Sequence, residues 1–91
     1  MSVKVRIPTQ LRSLSAGAGE VSVDGDNVGQ ALKALDATHA GFSERLFDED
    51  GQLRRFVNVF VDEEDVRFLQ GLDTPVAPGQ TLSIVPAVAG G

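Results

Sequence analysis

The stretch Glu20-Val21-Ser22-Val23-Asp24-Gly25-Asp26-Asn27-Val28-Gly29-Gln30-Ala31-Leu32-Lys33-Ala34-Leu35 changes its hydrophobic period midway. Up to Asp24, valines alternate with polar residues, the period of 2 that places Val21 and Val23 on one face of a strand. From Val28 onward apolar residues fall at Val28, Ala31/Leu32 and Leu35, with His39 one turn further, which is a single stripe along a helix. Asn27 stands at an N-cap position and Gln30, three residues on, makes a variant of the capping box. Gly41 suits the left-handed position beyond the last turn, so a helix over 28–40 is expected.

Working outward toward the N-terminus, Val3, Val5 and Ile7 alternate with Lys4 and Arg6 before Pro8, giving a first strand. The Ser-, Gly- and Ala-rich segment 13–19 then reads as the long, mobile loop of a hairpin whose second strand is 20–24. Toward the C-terminus, 42–55 reads mostly as loop, with a short helical turn at 43–47 and the acidic turn Asp48-Glu49-Asp50-Gly51. Residues 56–61 carry the strongest strand signal, with Val57, Val59 and Val61 on one face and Phe56, Asn58 and Phe60 on the other. Asp62-Glu63-Glu64-Asp65 is expected to turn into a short strand at 66–68. Gly71, Pro75, Pro78 and Gly79 punctuate the approach to a last strand, 81–85, with Leu82 and Ile84 inward.

The order β, β, α, β, short β, β leaves few topologies. The first and last strands are separated by enough chain for a crossover, so they can lie parallel side by side with the helix across one face of a mixed sheet. That is an α+β fold of the β-grasp, or ubiquitin-like, kind. Val3, Val5, Ile7, Val21, Val23, Val57, Val59, Val61, Leu82 and Ile84 would then face Val28, Leu32 and Leu35. Each fully buried side chain contributes about 1.5–3 kcal/mol. These positions are expected to pack rather than to react.

Composition excludes several functions. At 91 residues the chain is one domain. Its 8 Lys+Arg against 13 Asp+Glu give a net charge of −5, which repels a nucleic-acid backbone. No apolar run approaches the ~18 residues of a membrane span, so no nucleic-acid or membrane partner is expected, and the expected location is the cytoplasm. There is no cysteine and one histidine, which leaves no thiolate nucleophile and no basis for a triad. His39 reads as a packed or dipole-complementing residue near a helix end. The acidic run 62–65 lacks the ligand spacing of a calcium loop. Gly17-Ala18-Gly19 lacks the context of a phosphate cradle. The chain is therefore expected to bind no metal or cofactor and not to be an enzyme.

What stands out is the ending, Pro86-Ala87-Val88-Ala89-Gly90-Gly91. A β-grasp domain over 1–86 is expected to carry a flexible tail over 87–91. Five residues extended reach about 17 Å, and Ala87, Val88, Ala89, Gly90 and Gly91 include no charge and no side chain larger than valine. Such a tail fits a narrow channel. To activate a terminal carboxylate, a partner must bring it in line with a nucleotide phosphate and then admit a nucleophile, and glycine removes the Cβ that would obstruct both approaches. The reacting group would be the main-chain carboxylate of Gly91. Phe60 and Val85, on the sheet face away from the helix with Phe56, Thr81 and Ser83, and Pro86, at the root of the tail, are the candidate partner-binding residues.

The terminal Pro86-Ala87-Val88-Ala89-Gly90-Gly91, together with Arg55-Phe56-Val57-Asn58-Val59-Phe60-Val61-Asp62-Glu63-Glu64-Asp65-Val66-Arg67-Phe68, resembles the MoaD/ThiS family of ubiquitin-like sulfur carriers, and its CysO branch most closely. The resemblance covers essentially the whole chain. It implies that an E1-like adenylating enzyme of the MoeB/ThiF type uses ATP to adenylate Gly91. A rhodanese-type sulfur donor then replaces AMP, leaving a C-terminal thiocarboxylate. In CysO-type pathways the sulfur passes to O-phosphoserine on a pyridoxal-phosphate-dependent cysteine synthase homologue, and a zinc metallopeptidase releases cysteine. The alternatives are sulfur donation for thiamin, molybdopterin or a secondary metabolite, or use as a ubiquitin-like protein modifier. The free carrier is expected to be a monomer.

Overall fold

Val3 and Val5 are buried while Ser2, Lys4 and Arg6 are exposed along β1 (Ser2–Arg6) in the computed structural model, which describes residues 2–55 and 57–86. The same alternation runs through β2 (Glu20–Asp24), which pairs antiparallel with β1 so that Val3 lies opposite Val23 and Val5 opposite Val21. Val5 also lies opposite Leu82 of β5 (Thr81–Pro86), in a parallel ladder. On its other side β5 pairs antiparallel with β3 (Val57–Val61), where Val59 faces Ile84. A two-residue β4 (Glu64–Asp65) completes the sheet, whose order is β2-β1-β5-β3-β4. The expected mixed β-grasp sheet is thus formed, with the parallel pair at its centre.

The helix α1 (Val28–Thr38) lies across one face of this sheet and buries Val28, Ala31, Leu32 and Leu35 completely. Its start follows the sequence closely: the Asn27 side chain accepts the Gln30 N–H at 2.8 Å. Gln30 Oε1 reaches back to the Asp26 N–H at 2.9 Å, so the reciprocal bond closes one residue earlier than in the standard capping box. The strand-to-helix corner also requires Gly25. A Cβ there would lie 2.6 Å from the backbone nitrogen of Ala31 and 2.9 Å from its Cα.

The far end of α1 departs from expectation. The helix stops at Thr38, with His39 extended, and Gly41 is not its C-terminal glycine. Gly41, at φ 109°, instead opens α2 (Phe42–Leu46). The carboxylate of Asp36 supplies that second helix with its cap, with Oδ1 accepting from Gly41 N at 3.1 Å and Ser43 N at 2.9 Å. Two core residues, Phe42 and Leu46, are fully buried on α2 in a segment read mostly as loop. The helical turn expected at 43–47 lies one residue earlier.

Two other segments differ. Residues 13–19, expected to be mobile, are tied down: Arg12 Nε donates to Ile7 O, the buried Ser15 hydroxyl donates to Ala18 O at 2.7 Å, and Ile7 N donates to Gly19 O at 2.9 Å. The short strand expected at 66–68 is a 3₁₀ turn, Val66–Phe68, and the strand lies earlier, at Glu64–Asp65. The cause is the tightness of the preceding turn. With Asp62 at φ 56°, two residues suffice to return the chain so that Glu64 lies opposite Val61. Asp65 Oδ1 then accepts Arg67 N at 2.9 Å, capping the 3₁₀ turn and leaving Val66 in the core.

Removing three carbons from the centre of the core should be costly. Leu82→Ala is expected to lower the unfolding free energy by about 2–5 kcal/mol. Gly25→Ala, although it adds a single methyl, is expected to cost about 1–3 kcal/mol because backbone must give way. Urea midpoints at constant slope check both.

The hydrogen bonds to Asp36 carry a pH signature. Backbone N–H of Ser43, foremost, then that of Gly41, the Ser43 hydroxyl and Phe42 N–H favour the carboxylate, outweighing partial desolvation, and hold its pKa below the ordinary aspartate value of 3.8. A carboxylate with a depressed folded pKa stabilises the fold above its ordinary value and loses that stabilisation as pH falls through the lowered one. The gap in thermal midpoint between the native chain and Asp36→Ala should accordingly be constant in the neutral range and narrow in acid below the ordinary value.

Candidate functional site

The face of the sheet turned away from α1 is built by the alternate residues of each strand. Register places Lys4 beside Thr81, and Arg6, Ser83, Phe60 and Asp65 in one row across β1, β5, β3 and β4. Asn58 lies opposite Val85. The fold brings Phe60 and Val85 to this face, whereas Pro86, at the root of the tail, pairs with buried Val57 and belongs to the opposite, helix-facing alternation. Val85 is 45 % exposed, while Phe60 and Pro86 are half-buried. Phe56, expected on the same face, lies outside the described residues, as does the expected tail at 87–91 with Gly91.

Pro86 is the last residue of β5 and lies opposite Val57. Because β1 and β5 are parallel, the end of β5 lies beside the end of β1 and the loop that follows it. A cleft at this corner is lined by Arg6, Pro8, Gln10, Arg12, Val85 and Pro86. The root of the tail therefore has apolar side chains flanked by two guanidinium groups. In a chain of net charge −5, this is a local reversal of sign.

The acidic turn is elsewhere. Asp62 N donates to Thr81 O at 2.8 Å, and Asp62 Oδ1 and Oδ2 accept from Thr81 N and Gln80 Nε2, each at 3.2 Å. Asp62 thus anchors the start of β5, about 17 Å from Pro86 at the ordinary rise of a strand, and Asp65 lies two strands across from Ser83.

Sequence reading missed Arg67. Its guanidinium crosses from the 3₁₀ turn to Asn58 Oδ1 and to the carbonyls of Arg54 (2.8 Å) and Arg55 (3.4 Å), tying the segment before β3 to the outer face beside Val85. No spacing in the sequence announces this, because its partners are one side chain and two main-chain carbonyls. Also unforeseen are Phe68, 88 % exposed, and Leu69, 42 % exposed. Among the described residues no group of three or more His, Cys, Asp or Glu side chains could hold a metal ion, and no helix is long and apolar enough to cross a membrane.

Arg67→Ala should release two carbonyls and a side-chain amide. A loss of about 0.5–1.5 kcal/mol is expected, with amide shifts concentrated at 54–58 and the β1–β2 hairpin unmoved, as read by heteronuclear NMR.

Comparison with known proteins gives a consistent picture. A ThiS family model matches residues 5–91. The sulfur carrier protein CysO of Mycobacterium tuberculosis is 50% identical over 93 residues, covering 100% of each chain. In the crystal structure of the Amycolatopsis orientalis BexX/CysO complex, a chain of 46% identity superimposes with a TM-score of 0.92 over 98% of this chain and 99% of that one. The crystal structure of small archaeal modifier protein 1 from Haloferax volcanii, 33% identical, matches with a TM-score of 0.83 over 100% of both chains.

Proposed function

From the premise that this chain belongs to the ThiS family and is a sulfur carrier of the CysO type, we propose that it carries its sulfur as a thiocarboxylate on Gly91. The observation that carries the reading is the 50% identity to CysO over the full length of both chains. The placement of Pro86 at the outer end of a central strand supports it, since five further residues can extend about 17 Å from the globule.

The chemistry needs little from this chain. A carboxylate oxygen of Gly91 attacks the α-phosphorus of ATP held by an E1-like partner, and pyrophosphate leaves. The outer sulfur of a rhodanese-type donor's cysteine persulfide then attacks the acyl adenylate and AMP leaves with its bonding electrons, giving an acyl disulfide; a thiol attacks the donor's cysteine sulfur, forming a disulfide there and releasing the terminal C(O)S⁻ group with the electron pair of the broken S–S bond. What this chain supplies is reach and access. Gly90 and Gly91 have no Cβ to collide with nucleotide or nucleophile, and the globule supplies the grip. Val85 and Phe60 give that grip its apolar face and Pro86 its edge at the tail root, with Arg6 and Arg12 flanking Val85 and Pro86. The nucleotide, pyridoxal phosphate and zinc of the pathway belong to the partner enzymes. We assign the sulfur to cysteine formation, on a cysteine synthase homologue with release by a metallopeptidase, because CysO is matched over the full length of both chains at 50% identity.

Incubation with an E1-like enzyme of the same source, ATP and a sulfur donor should raise the intact mass by the difference between sulfur and oxygen. Deletion of Gly91 should abolish the gain without changing the thermal midpoint. Val85→Glu should raise the KM for the carrier with little effect on kcat, because it alters docking and not the reacting group. Isopeptide conjugates to lysine in place of the mass gain would overturn the assignment.

A further inference from the structure

Phe68 is 88 % exposed although its surroundings are rigid. On one side Val66 is fully buried and Asp65 caps the turn; Arg67 is held by three acceptors. On the other, Leu69 N donates to Val66 O at 2.9 Å, and Gln70 N donates to the hydroxyl of the buried Thr74 at 3.0 Å. A phenylalanine presented on a turn fixed from both sides is preorganised, so a partner that covers it orders little new structure. Leaving such a side chain in water forgoes the free energy of burying it.

The neighbourhood indicates what would cover it. Leu69, next along the chain and 42 % exposed, lines a cleft with Asp62, Glu63, Glu64 and Gln70, which Arg6 and Ser83 also line. Asp62 is engaged with Thr81 and Gln80, but Glu63 and Glu64 take part in no ion pair among the described residues. The cleft's three carboxylates outnumber its one cation, Arg6, and an exposed apolar pair beside that net negative charge complements a segment that offers an apolar side chain next to lysine or arginine. The Glu63 and Glu64 end of this cleft meets the start of β5, about 17 Å by strand rise from the tail root at Pro86, while Arg6 and Ser83 connect it to the tail-root corner.

We propose that Phe68, Leu69, Glu63 and Glu64 form a second docking surface, which takes a basic, apolar-bearing segment of a partner protein while the tail root stays free. The arrangement lets one protein hold the carrier as another works on its terminus. The surface does not depend on the sulfur chemistry, so its failure would leave the reading of Gly91 intact.

The probe is a synthetic peptide of alternating lysine and leucine, titrated into the isotopically labelled full chain, with a glutamate-leucine peptide as control. Shifts are expected at Glu63, Glu64, Phe68 and Leu69 and not at Val85, with affinity falling as salt rises from about 0.05 to 0.5 M. Phe68→Ser is expected to weaken binding about tenfold or more while the rest of the amide spectrum is retained, as is the Glu63→Lys/Glu64→Lys double variant. Equal binding by the Phe68→Ser chain, shifts spread over every acidic surface, or equal binding of the control peptide would each overturn the proposal. So would sedimentation showing that a second copy of the chain already covers Phe68.

Discussion

Val5 lies opposite Leu82 in the parallel ladder between β1 and β5, and both are fully buried beneath α1. A parallel pair cannot be joined by a tight turn, so everything between β1 and β5 has to cross over and return. That crossover contains both helices and β3, and its apolar residues make most of the core. The same pairing directs the end of β5 toward the loop after β1. The last described residues, Val85 and Pro86, therefore lie beside Arg6 and Arg12, while Asp62, which anchors the start of the strand, lies at the opposite pole.

This geometry separates two tasks that a small chain might otherwise confuse. The helix-facing side of the sheet is used for packing, with Val3, Val5, Val57, Val59, Leu82 and Ile84 all buried. The other side keeps Val85 exposed among polar neighbours, where a protein surface can reach it. On the proposed reading the reacting group is a main-chain carboxylate, which needs no constellation of side chains. Its demands on the fold are a rigid body, a recognisable face and a strand that runs outward.

Much of this was legible in the residues. Alternation located β1, β2, β3 and β5 to within a residue at most boundaries, because each has one face in the core and one in water. Asn27 and Gln30 marked the start of α1 through side-chain chemistry that acts over three residues. The misreadings have a common cause. Gly41 was read as the end of one helix but serves the beginning of another, because Asp36, five residues earlier, supplies the cap. Phe42 and Leu46 were passed over since a five-residue helix is too short to show a period. Val66-Arg67-Phe68 alternates like a strand, yet it follows a turn tight enough for Glu64 and Asp65 to take the pairing positions first.

The sequence by itself determined the order of elements, the inward faces and the small, uncharged ending after Pro86, since periodicity and steric bulk are local properties of neighbouring residues. Only the tertiary structure decided which charges stand near that ending, that Arg67 braces the outer face, and that Phe68 faces water. Those depend on contacts between residues 9 to 19 positions apart, or on opposite sides of the crossover, whose distance in space is set by the β1–β5 ladder and by nothing adjacent in the chain.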